Sequence, residues 1–369
     1  MEPRDILDTA LQRGLNSLKQ PLLDDPDLAR LVEVVSRAKT RALVRLVLSC
    51  ALAKSHRPDL DIRKPYTEIG TVDAFSGRSY DEEFLTAFIQ LHDLPCNSTT
   101  AFLTPALRNQ TVALTPDRNL KGREPDIYQA ALQLLDAVFV QRLTAQDLLA
   151  ETLRWLVILR DEKQVRFTSL LANLNASAGE LPLSSEEIAT LIEQHLKLKH
   201  TSRLPVLLVA AAYDVIGAVF GENARALAGH NAADKQTGAV GDIEVILTTD
   251  NQIVTAFEMK DKPVTLEDVR VALEKLIGQS VQNYIFITTA PIDPDVAEYA
   301  KSLYEQTGGI EFVILDCLGF MKHFLHFFHR YRRGFLESYQ RLMLTEPDSA
   351  VASVVKEAWL AMRQVAESR

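Results

Sequence analysis

Through the first two hundred residues, apolar positions recur at the spacing of amphipathic helices. The long examples are the stretches 25–54, 124–143 and 144–163. Ser184 and Glu187 then open another periodic stretch with the spacing of a capping box. The pattern predicts that residues 1–200 form a mostly helical N-terminal region.

Two stretches interrupt this helical pattern. They are RKPYTEIGTVDAFSGRSYDE at 63–82 and LPCNSTTAFLTPALRN at 94–109. Both are rich in Gly, Pro, Ser, Thr and Asn, which favour turns and irregular backbone. They therefore predict ordered loops or short strands.

After about residue 201, helices and strands alternate. LPVLLVAAAYDVIGAVF predicts a buried helix, and DIEVILTTD with IVTAFEMK predicts two strands joined by a turn at Asp250 and Asn251. Thr265 with Asp268 predicts a helix start, and so does Asp293 before Pro294. The helix that each pair starts precedes a short apolar strand, NYIFITT or EFVILD.

The resulting order is helix, hairpin, helix, strand, helix, strand. It predicts an α/β fold with a mixed sheet flanked by helices over residues 201–317. The helical pattern returns over 318–369, which predicts C-terminal helices that pack on this core.

Composition narrows the class of protein. The chain has 369 residues, 47% of them hydrophobic and 24% charged, which favours a folded protein with one large or two smaller domains. Its three cysteines are far apart and lack metal-ligand spacing, and the first residues lack an apolar signal core. We therefore expect a cytoplasmic location. The net charge of −9 disfavours coating of nucleic acid, although a local basic cleft is compatible with it.

Candidate chemistry lies at the open end of the predicted hairpin. Glu258 and Lys260 point to the same face of their strand, because side chains alternate along a strand. Asp242 begins the partner strand, about as far from the turn as Glu258 is. Antiparallel pairing therefore predicts that the three side chains converge.

Two neighbouring carboxylates repel each other unless a cation lies between them. Their oxygens suit Mg²⁺ or Mn²⁺, with water and a substrate phosphate completing the ligand shell. In this hypothesis Asp242 and Glu258 bind the metal, and Lys260 positions the attacking water for hydrolysis of a phosphodiester. The alternative is chance, because Asp-x(15)-Glu-x-Lys is a short pattern.

The strand context of these residues resembles the core of the PD-(D/E)xK nuclease superfamily. The proline of that group's first half-motif is replaced by Gly241. Beyond the core, YTEIGTVDAFSGRSYDEEFLTAFI, LPCNSTTAFLTPALRN and GAVGDIEVIL…TAFEMKDKPVT resemble the SacI-type family of type II restriction endonucleases.

The SacI-type resemblance implies a Mg²⁺-dependent type II enzyme that cuts both strands of DNA at a palindrome, with GAGCTC as the expected site. It also implies a homodimer and a cognate DNA methyltransferase. The alternatives are a nuclease of repair or transposition, and a non-catalytic DNA-binding protein that has kept the fold.

Further polar residues are weaker candidates. Glu244 is either an extra ligand or a solvated strand residue, and Gln279 either contacts phosphate or simply ends a helix. Asp214, within the apolar helix, is either an extra acidic site residue or a paired structural carboxylate. The loop before Asp242 contains His230, Lys235 and Gln236, which would contact DNA phosphate or belong to a mobile surface loop.

Base recognition requires forked donors and acceptors, chiefly on Arg, Lys, Asn and Gln. The two irregular stretches offer Arg78, Asn97, Arg108 and Asn109, although Asn also favours turns.

His323, His326 and His329 recur every three residues among phenylalanines, with no cysteine or carboxylate to complete a metal site. An amphipathic helix with its aromatic side chains packed inward is the favoured interpretation.

Overall fold

The computed structural model describes residues 2–39, 41–97, 99–120, 124–176, 182–225, 227, 239–276 and 279–368. The chain divides into two compact units, Met1–Thr168 and Ser169–Arg369. The region boundaries that the sequence predicts at residues 200 and 317 stay predictions.

The first unit is helical where it is described. Its α-helices are α1 Pro3–Asn16, α2 Pro26–Arg37, α3 Ala42–His56, α4 Gly77–Tyr80, α5 Thr86–Leu91, α6 Pro125–Phe139 and α7 Ala145–Ala176, the last of which continues into the second unit. A π-helical turn, Asp81–Leu85, joins α4 to α5, and 3₁₀ turns occupy Thr67–Ile69 and Ala101–Leu103.

Helix α3 lies at the centre of this unit, with every residue from Ala42 to Ala53 buried. Apart from Arg45 and Ser49 these buried residues are apolar, as expected of a helix that other helices surround. The mostly helical character predicted for this region is confirmed.

The irregular stretches 63–82 and 94–109 contain short helical turns, and no strand occurs among their described residues. The short-strand alternative was therefore wrong. Tight turns allow these segments to fold back on themselves, as when the amide of Phe75 donates to the carbonyl oxygen of Lys64 at 3.1 Å.

The second unit contains helices and one mixed sheet. Its helices are α8 Ser185–Leu196, α9 Leu204–Phe220, α10 Leu266–Lys275, α11 Pro294–Gln306, α12 Cys317–Phe327, α13 Arg332–Thr345 and α14 Ser353–Glu367. Its strands are β1 Glu222–Ala224, β2 Ile243–Leu247, β3 Ile253–Lys260, β4 Asn283–Thr288 and β5 Glu311–Asp316.

The sheet has the order β1-β2-β3-β4-β5. Strands β1, β2 and β3 are antiparallel, while β3, β4 and β5 are parallel. The predicted mixed sheet is confirmed, and β1 is an addition to it. In the hairpin turn Asn251 has a φ of 59°, and the side chain of Asp250 accepts a bond from the amide of Gln252 at 3.0 Å.

Helices cover both faces of this sheet. On one face α10 and α11 pack over an apolar cluster that includes Ala256 and Tyr284. On the other face Phe257 contacts Tyr213 of α9 and Phe320 of α12, with ring centroids 5.7 Å and 6.3 Å apart. Because side chains alternate along β3, Glu258 and Lys260 lie on the face covered by α10.

The C-terminal region is helical, as predicted, but the stretch from 320 to 343 is not one helix. Helix α12 ends at Phe327, and a 3₁₀ turn, His329–Tyr331, precedes α13. The break allows Phe335 of α13 to pack against Phe324 of α12, with ring centroids 5.4 Å apart. Burial of these aromatic rings stabilises the bend.

Among the described helices, none combines the length and the apolar character that crossing a membrane requires.

Candidate active site

Asp242 directly precedes β2 and is exposed. Its Oδ2 accepts a hydrogen bond from the backbone amide of Met259 at 2.7 Å. Because Ile243 pairs with Phe257, the next position places Asp242 opposite Glu258. The hairpin register therefore fixes the carboxylate of Asp242 beside the end of β3.

Glu258 is the centre of a polar cluster, and only 15% of its side chain is exposed. The ammonium of Lys260 lies 3.2 Å from Oε1, and the ammonium of Lys275 lies 3.7 Å from Oε2. The hydroxyl of Tyr284 is 3.3 Å from Oε2 and 3.2 Å from the carbonyl oxygen of Val240. These contacts satisfy a half-buried carboxylate, which burial alone would disfavour.

Lys260 contacts two carboxylates, with Asp268 Oδ1 at 3.1 Å in addition to Glu258. Burial disfavours its charged form, but the two carboxylates outweigh burial and raise the pKa of Lys260 above its ordinary value. Lys260 therefore stays protonated at neutral pH. Its chemistry is that of a fixed cation and hydrogen-bond donor rather than of a base.

Asp268 has two roles at once. Its Oδ2 accepts bonds from the amide and hydroxyl of Thr265, at 2.9 Å and 2.7 Å, and so closes the capping box of α10. Burial opposes its carboxylate, yet the bonds from Thr265 and Lys260 lower the pKa of Asp268. The start of α10 is thereby tied to the lysine of the cluster.

The cluster lies at the carboxyl end of the parallel part of the sheet. Lys260 at the end of β3 pairs with Thr288 at the end of β4, which pairs with Asp316 at the end of β5. Open α/β sheets bind their ligands at this edge. Asp242, Glu258 and Lys260 are thus brought together where a substrate is expected.

Gly241 allows the two strands to approach closely at this point. A Cβ at this residue would come within 2.6 Å of the carbonyl oxygen of Phe257 and 3.2 Å of its carbonyl carbon. Backbone atoms cannot move aside as the end of a flexible side chain can. A side chain at residue 241 would therefore push the start of β2 away from β3.

The segment that contains this cluster was compared with known families. Residues 181–289 match the family of the SacI restriction endonuclease C-terminal domain. The predicted resemblance is confirmed over these residues, which include all three members of the catalytic hypothesis. No curated protein matches the chain.

The SacI C-terminal domain match suggests a restriction endonuclease function and therefore nuclease activity and DNA binding. It does not reach the N-terminal stretches 63–82 and 94–109, whose likeness to the family stays a prediction. The catalytic roles of Asp242, Glu258 and Lys260 are likewise predictions, although the three residues lie close together in the structure.

Within the SacI match, Glu244 is buried, with 8% exposure. Its Oε2 accepts a bond from Arg225 at 2.6 Å, and its Oε1 accepts a bond from the amide of Val240 at 2.8 Å. These contacts exclude the solvated alternative. They give Glu244 a structural role, tying β2 to Arg225, just past β1, and to the segment before Asp242.

Glu244→Gln is expected to leave DNA cleavage within about threefold of the original rate and to lower the free energy of unfolding by roughly 1–3 kcal/mol. The amide keeps the size of the side chain but loses the charge that Arg225 pairs with. Cleavage assays and urea unfolding of the same preparations measure both effects. Loss of cleavage without loss of stability would identify Glu244 as a ligand instead.

Two other candidates lie outside the cluster's contacts. Gln279 is exposed just beyond α10, and its backbone N–H donates to the carbonyl oxygen of Leu276 at 2.9 Å. Asp214 accepts bonds from Ser338 at 2.5 Å and from Arg341 at 2.7 Å. Of the two alternatives for Asp214, these contacts favour the paired structural carboxylate over the extra acidic site residue.

The proposed DNA-reading side chains differ in their contacts. Arg78 is exposed and paired with Glu82 at 2.7 Å, while Arg108 and Asn109 are exposed. The carbonyl oxygen of Asn97 accepts a bond from the buried Arg45 at 2.7 Å, which fixes that backbone.

His230, Lys235 and Gln236 lie outside the described residues. The contribution of Lys235 and Gln236 to DNA binding therefore stays a prediction.

In the described part of the chain, no group of three or more His, Cys, Asp or Glu side chains is arranged to hold a metal ion. His326 instead contacts Glu186 at 2.7 Å, and His323 stacks on Phe327. Asp242 and Glu258 form a pair of carboxylates, which is the protein contribution that a Mg²⁺ ion commonly receives when water and phosphate supply the other ligands. The donor set fits Mg²⁺ on that basis.

Sequence reasoning missed Lys275, Tyr284 and the second role of Asp268. Only the capping-box spacing of Thr265 and Asp268 was visible in the sequence. Lys275 lies on α10 and Tyr284 on β4, whereas Glu258 lies on β3. No local sequence pattern therefore predicts their contacts with Glu258.

Proposed function

We propose that the protein is a type II restriction endonuclease that hydrolyses both strands of double-stranded DNA at a palindromic site in the presence of Mg²⁺. The observation that carries the proposal is that a SacI-family segment contains Asp242, Glu258 and Lys260 clustered at one edge of its sheet. The arrangement also agrees with a PD-(D/E)xK type of core, with Gly241 in place of the proline.

In this mechanism Asp242 and Glu258 hold the ion. When bound, Mg²⁺ supplies Lewis-acid assistance and offsets charge on the phosphate. The amide of Met259 fixes the carboxylate of Asp242, and Tyr284 helps to fix Glu258. Both carboxylates are thus oriented before the substrate arrives.

Lys260 would act directly on the reacting groups. Its ammonium stays charged because Glu258 and Asp268 raise its pKa. It can donate a hydrogen bond that orients the attacking water and can stabilise negative charge as the new phosphorus–oxygen bond forms and the old one breaks. Asp268 limits the positions that this flexible side chain can adopt.

Recognition is proposed for the first unit. Arg78, Arg108 and Asn109 expose donors and acceptors of the kind that read base edges, and Asn97 lies on a fixed backbone nearby in the sequence. Lys235 and Gln236, which precede Asp242 in the sequence, would add contacts to DNA. Cleavage of both strands of a palindrome implies a homodimer with one active site for each strand.

The biological setting follows from the same proposal. A cognate methyltransferase would protect host DNA at the same site, and both proteins would act in the cytoplasm. The expected sequence is GAGCTC, carried over from the family resemblance.

The decisive experiment is digestion of DNA of known sequence, followed by mapping of the ends. The expected result is double-strand breaks at one repeated palindrome with Mg²⁺ and no breaks with a chelator. Breaks without a shared sequence would favour a repair or transposition nuclease. Binding without any metal-dependent breaks would favour a non-catalytic DNA-binding protein.

A further inference from the structure

Glu258 lies between two ammonium groups on different elements. Lys260 extends from β3 toward Oε1, and Lys275, the last residue of α10, extends toward Oε2. The proposed mechanism uses Lys260 but assigns nothing to Lys275. Lys275 is thus a second cation beside Glu258, a proposed metal ligand.

The two lysines are held differently. Lys260 is 3.2 Å from Glu258 and also 3.1 Å from Asp268, so its displacement would break two ion pairs. Lys275 lies at the longer distance of 3.7 Å from Glu258. At this longer distance, the attraction of Glu258 for Lys275 is weaker than its attraction for Lys260.

A carboxylate oxygen that faces an ammonium is less available to a divalent ion, because the two cations repel each other. The Oε2 atom of Glu258 faces Lys275 and the hydroxyl of Tyr284, while Oε1 faces Lys260. Each oxygen therefore already has a cation beside it before an ion binds. An ion bound by Glu258 is repelled by both ammonium groups, and this repulsion falls if one of them withdraws.

We propose that Lys275 is a positioning residue that holds Glu258 in the metal-free site and is exchanged for the divalent ion when the ion binds. The proposal rests on the proposed function and adds a control on metal occupancy. Lys275 and the ion compete for one carboxylate. The ammonium keeps that carboxylate oriented between catalytic cycles, at the cost of weaker metal binding.

The test is titration of the purified protein with Mn²⁺ in the absence of DNA, with free Mn²⁺ measured by electron paramagnetic resonance. Lys275→Met is expected to bind Mn²⁺ about fivefold more tightly than the original protein, because a competing charge near 4 Å is removed. Lys275→Gln is expected to give the same gain. Lys275→Arg keeps the charge and is expected to keep the original affinity.

The matched control is Lys262→Met, which removes an exposed positive charge close in sequence to the cluster. Equal tightening in this variant, or tightening in Lys275→Arg, would overturn the proposal, since neither removes a charge specifically from Glu258. Unchanged or weaker affinity in both neutral variants at residue 275 would also overturn it. If the original protein binds no Mn²⁺ but still cuts DNA with Mg²⁺, only the inference about Lys275 is wrong. If it neither binds Mn²⁺ nor cuts DNA with Mg²⁺, the proposed function is wrong too.

Discussion

Asp242→Asn is expected to lower the rate of Mg²⁺-dependent DNA cleavage by roughly a thousandfold while DNA binding persists. The amide oxygen of asparagine can still accept the bond from the amide of Met259, so the hairpin is expected to keep its register. The negative charge that would attract the ion is lost. Cleavage is measured by the conversion of plasmid, and DNA binding by gel shift with Ca²⁺ in place of Mg²⁺.

The control for this change is Asp250→Asn, the same substitution in the turn at the other end of the hairpin. It is expected to cut at the original rate, because residue 250 is far along the strands from the cluster. An Asp242→Asn variant that cuts as fast as Asp250→Asn would contradict the site assignment.

Asp81→Ala is expected to lower the free energy of unfolding of the first unit by about 3–5 kcal/mol, because it leaves the charge of Arg45 buried without its partner. The exposures of the two side chains are 1% for Arg45 and 0% for Asp81. Arg45 donates to Asp81 through Nε at 2.9 Å and Nη2 at 2.5 Å, and the hydroxyl of Thr100 also donates to Asp81. Urea unfolding followed by circular dichroism measures the loss.

Asp59→Ala is the control for the buried pair, because Asp59 pairs with Arg57 on the surface, where water and salt screen the charges. It is expected to leave the urea midpoint nearly unchanged. Equal midpoints for the two variants would show that the buried pair does not stabilise this unit. Since Arg45 also holds the carbonyl oxygen of Asn97, Asp81→Ala is expected to disturb that proposed DNA-reading segment.

Local signals in the sequence predicted the second unit well. Alternation identified β2 and β3, and the caps at Thr265 and Asp293 located the starts of α10 and α11. Each of these features is set by residues that are close together in the sequence, so a single sequence is enough to predict it. The hairpin register then sufficed to bring Asp242 beside β3.

Features fixed by distant contacts were not predictable. Strand β1 spans three residues, too few for alternation to be visible. The helix break after Phe327 is not visible in the sequence, because the apolar spacing continues through it. The packing of Phe324 against Phe335 determines where the chain bends. The reach of Lys275 to Glu258 likewise depends on how α10 packs over the sheet.

The absence of a side chain at residue 241 constrains how this hairpin can evolve. Any larger residue, proline included, meets the peptide of Phe257, so the backbone would have to separate before such a replacement could be accommodated. Chains that share this spacing are confined to glycine there. Searches that require proline one residue ahead of the aspartate will pass over them.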